Sequence, residues 1–156
     1  MAEPSVFIDT NIFLRVYARD DEAKANDCEQ IIRAIQQGKL QAVTSEIVIA
    51  EFVWTSLSFY KIRKPVVIQM IKAILSLPNF YIQGVADMLV ATELYETYSI
   101  KFIDAIIASC EIIEVGKLPI LSYDKDFDKI GRQRYEPAEL LKQIYGKRSG
   151  MSSAEA

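Results

Sequence analysis

Four short apolar segments, separated by long stretches with helical spacing, constrain the fold more than any other feature of this sequence. They read V-F-I at 6–8, L-Q-A-V at 40–43, F-Y-I at 80–82 and P-I-L-S at 119–122. Each segment has the length of a buried strand and is too short for a stable helix. Strands that alternate with helices form parallel β-α-β units. The sequence therefore predicts a three-layer α/β/α fold with a short central parallel sheet.

The stretches between these segments carry the apolar spacing and the end signals of helices. We predict helices over 21–37, from an N-cap at Ser45 to Tyr60, over 66–77 after Pro65, over 88–97 after an N-cap at Asp87, over 103–115, and from Pro137 onward. No repeat or linker divides the chain, which predicts a single domain over residues 1–146. The small polar residues of 147–156 predict a disordered tail.

The absence of histidine excludes several kinds of active site. Ser-His-Asp and Cys-His catalysis and His-ligated zinc all require that side chain. Cys28 and Cys110 lie too far apart for a metal-binding motif, and we expect buried free thiols. The net charge of −3 excludes the basic surface of a protein that coats duplex DNA. Neither a signal peptide nor a membrane span of ~18 apolar residues is present, which predicts a cytoplasmic protein.

Acidic residues follow two of the strand segments. Asp9 comes directly after V-F-I, and Asp124 follows P-I-L-S-Y. In open parallel sheets, ligands bind at the carboxyl ends of the strands. We therefore expect both carboxylates at one edge of the sheet.

Two further acids lie on predicted helices. The apolar side chains around Glu51 occupy most of the circumference of its helix, where a charge is costly unless it faces water, a partner or a metal. Asp104 points away from the apolar face of its helix, and we expect its small neighbours Ala105 and Ala108 to leave room for a ligand. Each acid also has a plainer interpretation, such as a turn residue, a cap, or a stabilising charge of about 0.3–1 kcal/mol at a helix N-terminus.

Convergence of these acids would have a specific physical consequence. Carboxylates a few Å apart repel one another, and a divalent cation relieves the repulsion. Because all the ligands would be oxygens, the cation would be Mg²⁺ or Mn²⁺. Such a site can activate water and bind a phosphate group.

Four motifs in this order resemble the PIN domain family: V-F-I-D-T-N-I-F-L, I-A-E-F, F-I-D-A-I-I-A-S and L-S-Y-D-K-D-F. The resemblance covers residues 5 to 145 and implies a metal-dependent endoribonuclease with a PIN-like fold. It implies that the catalytic, metal-binding residues are Asp9, Glu51, Asp104 and Asp124, with Mg²⁺ as the cofactor and Mn²⁺ as a substitute. The family's supporting polar and extra acidic positions match Asn11, Ser122 and Asp126.

The small size of the chain resembles VapC-type toxins of toxin–antitoxin pairs. This resemblance implies an RNA substrate, a small antitoxin partner and a homodimer. The stretch between Ile130 and Pro137 is more polar than the family's usual strand, so we expect that strand to be short or missing. Basic side chains near it could hold RNA phosphates or form a solvated loop; they are Lys125, Lys129, Arg132 and Arg134.

Alternative functions are less consistent with the residues. A haloacid-dehalogenase-type phosphatase needs a second acid two positions after the first, where this chain has Asn11. A non-catalytic PIN-like member typically loses acids, whereas all four are present. A housekeeping RNA-processing nuclease remains an alternative to a toxin. The apolar helices around Trp54, Phe59 and 66–77 could form a partner surface, although we expect core packing.

Overall fold

A computed structural model describes residues 3–149, the last three by their backbone only. A five-stranded sheet with the order β3-β2-β1-β4-β5 lies at its centre. The strands are β1 (Ser5–Ile8), β2 (Gln41–Thr44), β3 (Phe80–Ile82), β4 (Ile120–Leu121) and β5 (Arg134–Tyr135). Every pair of neighbouring strands is parallel, and helices flank the sheet. The predicted α/β/α fold class is confirmed.

Helices connect the strands in chain order. The described part of the chain contains α1 (Thr10–Ala18), α2 (Glu22–Gln36), α3 (Glu46–Ser58), α4 (Lys64–Leu75), α5 (Met88–Thr97), α6 (Phe102–Ala108), α7 (Glu111–Glu114), α8 (Asp126–Lys129) and α9 (Pro137–Ser149).

The central strand β1 lies inside the protein because helices cover both faces of the sheet. Phe7 and Ile8 are fully buried. The Phe13 ring of α1 makes edge-on contacts with Phe52, at 6.3 Å between centroids, and with Phe80, at 5.9 Å. This packing fixes α1 against α3 and the sheet, and so fixes the β1–α1 junction where Asp9 lies.

The structure differs from the predicted helices at several places. Helix α1 was not predicted, although D-T-N at 9–11 separates its apolar residues from those of β1 and Asp9 caps it. The predicted helix 103–115 is divided into α6 and α7, and Cys110 between them forms a bridge with Ala86. Ser45 precedes α3 as predicted, but its hydroxyl makes no capping hydrogen bond. Asp87 does cap α5, accepting from the backbone N–H groups of Leu89 and Val90.

Helix α3 is less buried than the sequence suggested. Trp54 is 69% exposed and Phe59 is 73% exposed, so core packing is the wrong interpretation for these two side chains. The buried side of the helix carries Val48, Phe52 and Ser56. Glu51 is only partly buried, on a helix that has an open apolar face.

The remaining expectations about the chain have mixed outcomes. The last strand is present as β5 and is two residues long. Cys28 and Cys110 are buried and free, as predicted. The predicted disordered tail begins at 147, but α9 continues to Ser149, and residues 150–156 lie outside the described residues. Within residues 3–149, no helix has the length and apolar character needed to cross a membrane.

We predict that Phe13→Ala lowers the free energy of unfolding by about 3–5 kcal/mol, because it leaves a cavity between α1, α3 and β3. Phe59→Ala, at an exposed position, should cost about 1 kcal/mol or less. Urea unfolding of both variants checks the difference. Equal losses would contradict the packing described for α1.

Candidate active site

Asp9 lies at the junction of β1 and α1, where it serves as the N-cap of the helix. Its Oδ1 accepts a hydrogen bond from the backbone N–H of Thr10 at 2.8 Å. Asp9 is only 4% exposed. Burial raises the pKa of Asp9 to about 6, against the lowering effect of hydrogen bonds from Ser122 and Thr10, and the charges of Glu51 and Asp124 raise it further.

Ser122 joins the end of β4 to this junction. Its hydroxyl donates to Asp9 Oδ2 at 2.6 Å and accepts from the Asn11 amide and from the backbone N–H of Asp124, each at 3.0 Å. A serine hydroxyl has one proton and two lone pairs. Every hydrogen-bonding position of this fully buried side chain is therefore used.

Asn11 closes the same network from α1. Its amide nitrogen also donates to Asp9 Oδ2 at 3.2 Å, and its Oδ1 accepts from the backbone N–H of Tyr123 at 3.2 Å. The supporting positions Asn11 and Ser122 thus hold Asp9 and Asp124 at neighbouring strand ends, as the sequence predicts for parallel strands β1 and β4.

Asp104 lies in the first turn of α6 and is only 3% exposed. Its Oδ2 atom has no hydrogen-bond partner in the described part of the chain. The expectation that it faces away from the buried side is wrong. Ala105 and Ala108, which we expected to leave room for a ligand, are themselves fully buried in the core.

Burial raises the pKa of Asp104 to about 8. The charge of Lys101 opposes this effect, whereas the charges of Asp9 and Asp124 and a hydrogen bond with Asp126 add to it. A buried carboxylate beside other carboxylates is destabilised in its ionised form. A cation at this position would remove that penalty.

Three carboxylates form a compact group: Asp104, Asp124 and Asp126 each offer an oxygen, and these oxygens lie within 4.8 Å of one another. We call these residues the acid triad. Asp124 Oδ1 accepts from the backbone N–H of Asp126 at 3.0 Å, which links two members at the start of α8. Sequence reasoning placed Asp126 among the supporting residues, whereas the geometry groups it with two of the four predicted ligands.

Glu51 approaches the site from α3. Its charge contributes to the raised pKa of Asp9, but Glu51 is not a member of the acid triad. Among the described residues, Glu51 makes no hydrogen bond or ion pair. Distances therefore group Asp104 and Asp124 with Asp126, and Ser122 links Asp9 to Asp124, whereas the convergence of all four predicted acids stays a prediction.

The chemistry of these donors fits a hard divalent cation. All the ligand atoms are carboxylate oxygens, which Mg²⁺ and Mn²⁺ prefer. Asp104 Oδ2 is buried and lacks a hydrogen-bond partner in the part of the chain that the structure describes, although buried polar atoms are normally paired.

The sequence profile of the PIN domain matches residues 6–133. The chain belongs to the PIN domain family. No curated protein matches it by sequence.

Solved structures share the fold of this PIN domain at low sequence identity. VapC20 of Mycobacterium tuberculosis, described as a Sarcin-Ricin loop cleaving toxin, is 13% identical with a TM-score of 0.60, and the match covers 85% of this chain and 99% of that one. VapBC2 of Rickettsia felis, bound to a promoter DNA fragment, is 17% identical with a TM-score of 0.58 over 85% and 98%. PAE2754 of Pyrobaculum aerophilum is 15% identical with a TM-score of 0.61 over 94% and 99%.

Lys101 is a site residue of this PIN domain that sequence reasoning missed. Its Nζ lies 2.7 Å from Asp124 Oδ2 and 3.7 Å from Asp104 Oδ2. Desolvation alone would lower the pKa of Lys101, but the hydrogen bond to Asp124 and the charge of Asp104 raise it. A lysine three positions before Asp104 was the available signal, since residues three apart on a helix face one another.

Thr44 is a second residue near the site that sequence reasoning missed. It ends β2, is fully buried, and donates from Oγ1 to the carbonyl oxygen of Ile8 at 2.8 Å. This bond satisfies the last carbonyl of β1, immediately before Asp9. Its signal in the sequence is a hydroxyl at the end of an apolar strand segment.

Three of the four basic residues predicted to hold RNA already have partners in the protein. The Arg134 guanidinium donates to the Ser122 carbonyl oxygen at 3.0 Å and pairs with Asp128 at 2.9 Å. Arg132 pairs with Glu114, and Lys129 pairs with Asp126 at 2.8 Å.

Lys125 is exposed and makes no ion pair within residues 3–149. Of the four basic residues, it is therefore the one most available to a phosphate group. RNA binding by any of them stays a prediction.

We predict that Ser122→Ala lowers the free energy of unfolding by about 1–3 kcal/mol, since it leaves buried partners of the hydroxyl unsatisfied. Ser76→Ala removes an exposed hydroxyl that bonds only the carbonyl of Ala73, and should change stability by about 0.5 kcal/mol or less. Urea unfolding in the presence of a chelator makes the comparison. Similar stabilities of the two variants would show that the network contributes little.

We predict a pH-dependent gain of stability for Asp104→Asn in the absence of metal. The pKa of Asp104 is raised from 3.8 to about 8, so the folded protein binds more protons than the unfolded chain between these pH values. The stability of the wild-type protein therefore falls as pH rises through this range. Asparagine abolishes this effect. We therefore expect the free energy of unfolding of Asp104→Asn to exceed that of wild type by more than about 1 kcal/mol at pH 8.5 and by less at pH 5.

Thermal and urea unfolding at the two pH values, with chelator present, measure this difference. Asp128→Asn is the matched control, because Arg134 lowers the pKa of Asp128 and its ionised form stabilises the fold. That variant should be no more stable than wild type at pH 8.5. A loss of stability in Asp104→Asn at both pH values would contradict the prediction.

Proposed function

We propose that this PIN domain is a metal-dependent endoribonuclease and the toxin of a toxin–antitoxin pair. The observation that carries the proposal is the buried Asp104 carboxylate, which belongs to the acid triad and whose Oδ2 has no hydrogen-bond partner within residues 3–149. A cluster of this kind is costly unless a cation neutralises it. Membership of the PIN family supports nuclease chemistry for the site.

The proposed metal ligands are Asp9, Asp104 and Asp124, with Mg²⁺ as the ion and Mn²⁺ as a substitute. Glu51 is partly exposed and not engaged by hydrogen bonds among the described residues, so it is suited to bind the ion or to orient a water molecule. Asp126 joins them through the geometry of the acid triad. A bound ion would lower the pKa of a water molecule that it coordinates and would stabilise negative charge on the phosphate.

The chain's own residues position the reactants. Ser122 and Asn11 hold the Asp9 carboxylate through two hydrogen bonds that restrict its orientation. Glu51 orients water for in-line attack on phosphorus. The water oxygen gives up a proton to solvent as it forms a bond to phosphorus, the bond from phosphorus to the 3′-oxygen breaks, and the departing oxygen takes up a proton from solvent. The products have 5′-phosphate and 3′-hydroxyl ends.

Two further observations support the toxin role. The structural neighbours include VapC20, described as a toxin that cleaves the Sarcin-Ricin loop, and the VapBC2 complex. Trp54 and Phe59 expose apolar surface on α3, and such surface is suited to an antitoxin or to the second subunit of a homodimer. An RNA-cleaving toxin of this kind acts in the cytoplasm.

We predict that the purified protein cleaves RNA only when Mg²⁺ or Mn²⁺ is present, and that Asp104→Asn lowers the rate by about 100-fold or more, because a lost ligand removes stabilisation of developing charge. Glu93→Gln removes an exposed carboxylate on α5 and should cleave as wild type does. Gel analysis of total RNA and end-labelling of the products measure rate and chemistry. A 2′,3′-cyclic phosphate would contradict water as the nucleophile.

The same variants distinguish a toxin from an RNA-processing enzyme. Induction of wild-type protein in cells should arrest growth, whereas Asp104→Asn should not. Cleavage in vitro without growth arrest would favour an RNA-processing role. Cleavage retained by Asp104→Asn in clean preparations would refute the assigned site.

A further inference from the structure

Lys101 contacts all three members of the acid triad. Its Nζ lies 2.7 Å from Asp124 Oδ2 and 3.7 Å from Asp104 Oδ2, and its backbone N–H donates to Asp126 Oδ2 at 3.4 Å. The residue is the N-cap of α6, so its backbone position is fixed by the helix that carries Asp104. Its side chain is 65% exposed, so the ammonium group can move away from the carboxylates into solvent.

The ammonium group neutralises the triad incompletely. At 3.7 Å it is too far from Asp104 Oδ2 for a hydrogen bond, and that oxygen has no other partner among the described residues. The Lys101 ammonium carries one positive charge, and the Lys129 ammonium, 2.8 Å from Asp126 Oδ1, carries a second, whereas three ionised carboxylates would carry three negative charges. A divalent ion that binds the same oxygens would compensate them better.

We propose that Lys101 is an internal counterion that competes with the divalent cation for Asp124 and Asp104, and so sets the metal affinity of the site. This inference rests on the metal site of the proposed function. The lysine ammonium opposes binding of the ion, because it already contacts Asp124 Oδ2 and its positive charge repels the ion. The long exposed side chain can then extend into solvent.

Binding of Mn²⁺ to the full-length protein tests the proposal by isothermal titration calorimetry, without measuring cleavage. Lys101→Met keeps most of the side-chain volume and removes the charge. We expect it to bind Mn²⁺ about two- to fivefold more tightly than wild type, the range that corresponds to the loss of one exposed ion pair. Lys101→Arg retains the charge and should stay near the wild-type affinity.

Lys125→Met is the matched control, because Lys125 is an exposed lysine next to Asp124 whose side chain makes no ion pair in the part of the chain that the structure describes. It changes net charge equally, and salt screens its exposed charge, so its effect should be smaller. An unchanged or weaker affinity in Lys101→Met, or an equal gain in Lys125→Met, overturns the proposal.

The outcome for the wild-type protein separates this inference from the proposed function. If wild type binds Mn²⁺ and Lys101→Met binds it equally, only the role of Lys101 fails. If neither protein binds Mn²⁺, the metal site and the competition both fail. If Lys101→Met binds the ion and wild type does not, the competition is stronger than proposed and its direction is confirmed.

Discussion

The hydrogen bond from Ser122 to Asp9 is the interaction on which the rest of the site depends. It joins the carboxyl ends of β1 and β4, and the same hydroxyl accepts from Asn11 and Asp124. The backbone N–H of Ser122 donates to the Tyr135 carbonyl, so β5 also holds this position despite its two residues. A single buried hydroxyl thereby sets the relative positions of acids that come from distant parts of the chain.

The burial of acidic residues lowers the stability of the fold, and a metal-binding function would explain this cost. Asp9 and Asp104 are almost inaccessible to solvent, yet stable cores rarely hold carboxylates without full compensation. Asp9 receives three hydrogen bonds, whereas Asp104 has an oxygen without a partner in residues 3–149 and a lysine at 3.7 Å. The protein therefore stabilises one acid with its own donors and leaves the other suited to a cation.

The sequence predicts the sheet and the meeting of Asp9 with Asp124, because parallel strands place their carboxyl ends at one edge. It does not predict the burial of Asp104. Helical periodicity separates one apolar face from the rest, but α6 is short and covered on more than that face. Nor does it predict the contacts of Lys101 with the acid triad or the three hydrogen bonds of the Ser122 hydroxyl. These depend mainly on distances between residues that lie far apart in the sequence, which no local sequence pattern indicates.

The separation of the acids along the chain has a consequence for synthesis. Asp9 and Ser122 are 113 positions apart, and their hydrogen bond joins the first strand to the fourth. Domains begin to fold from the N-terminal side while the ribosome is still adding residues. The acidic pocket is therefore incomplete in every nascent chain whose segment around α8 has not yet left the ribosome. The proposed nuclease site can therefore form only once the segment around α8 has been synthesised, so a nascent chain that lacks this segment cannot carry the proposed activity.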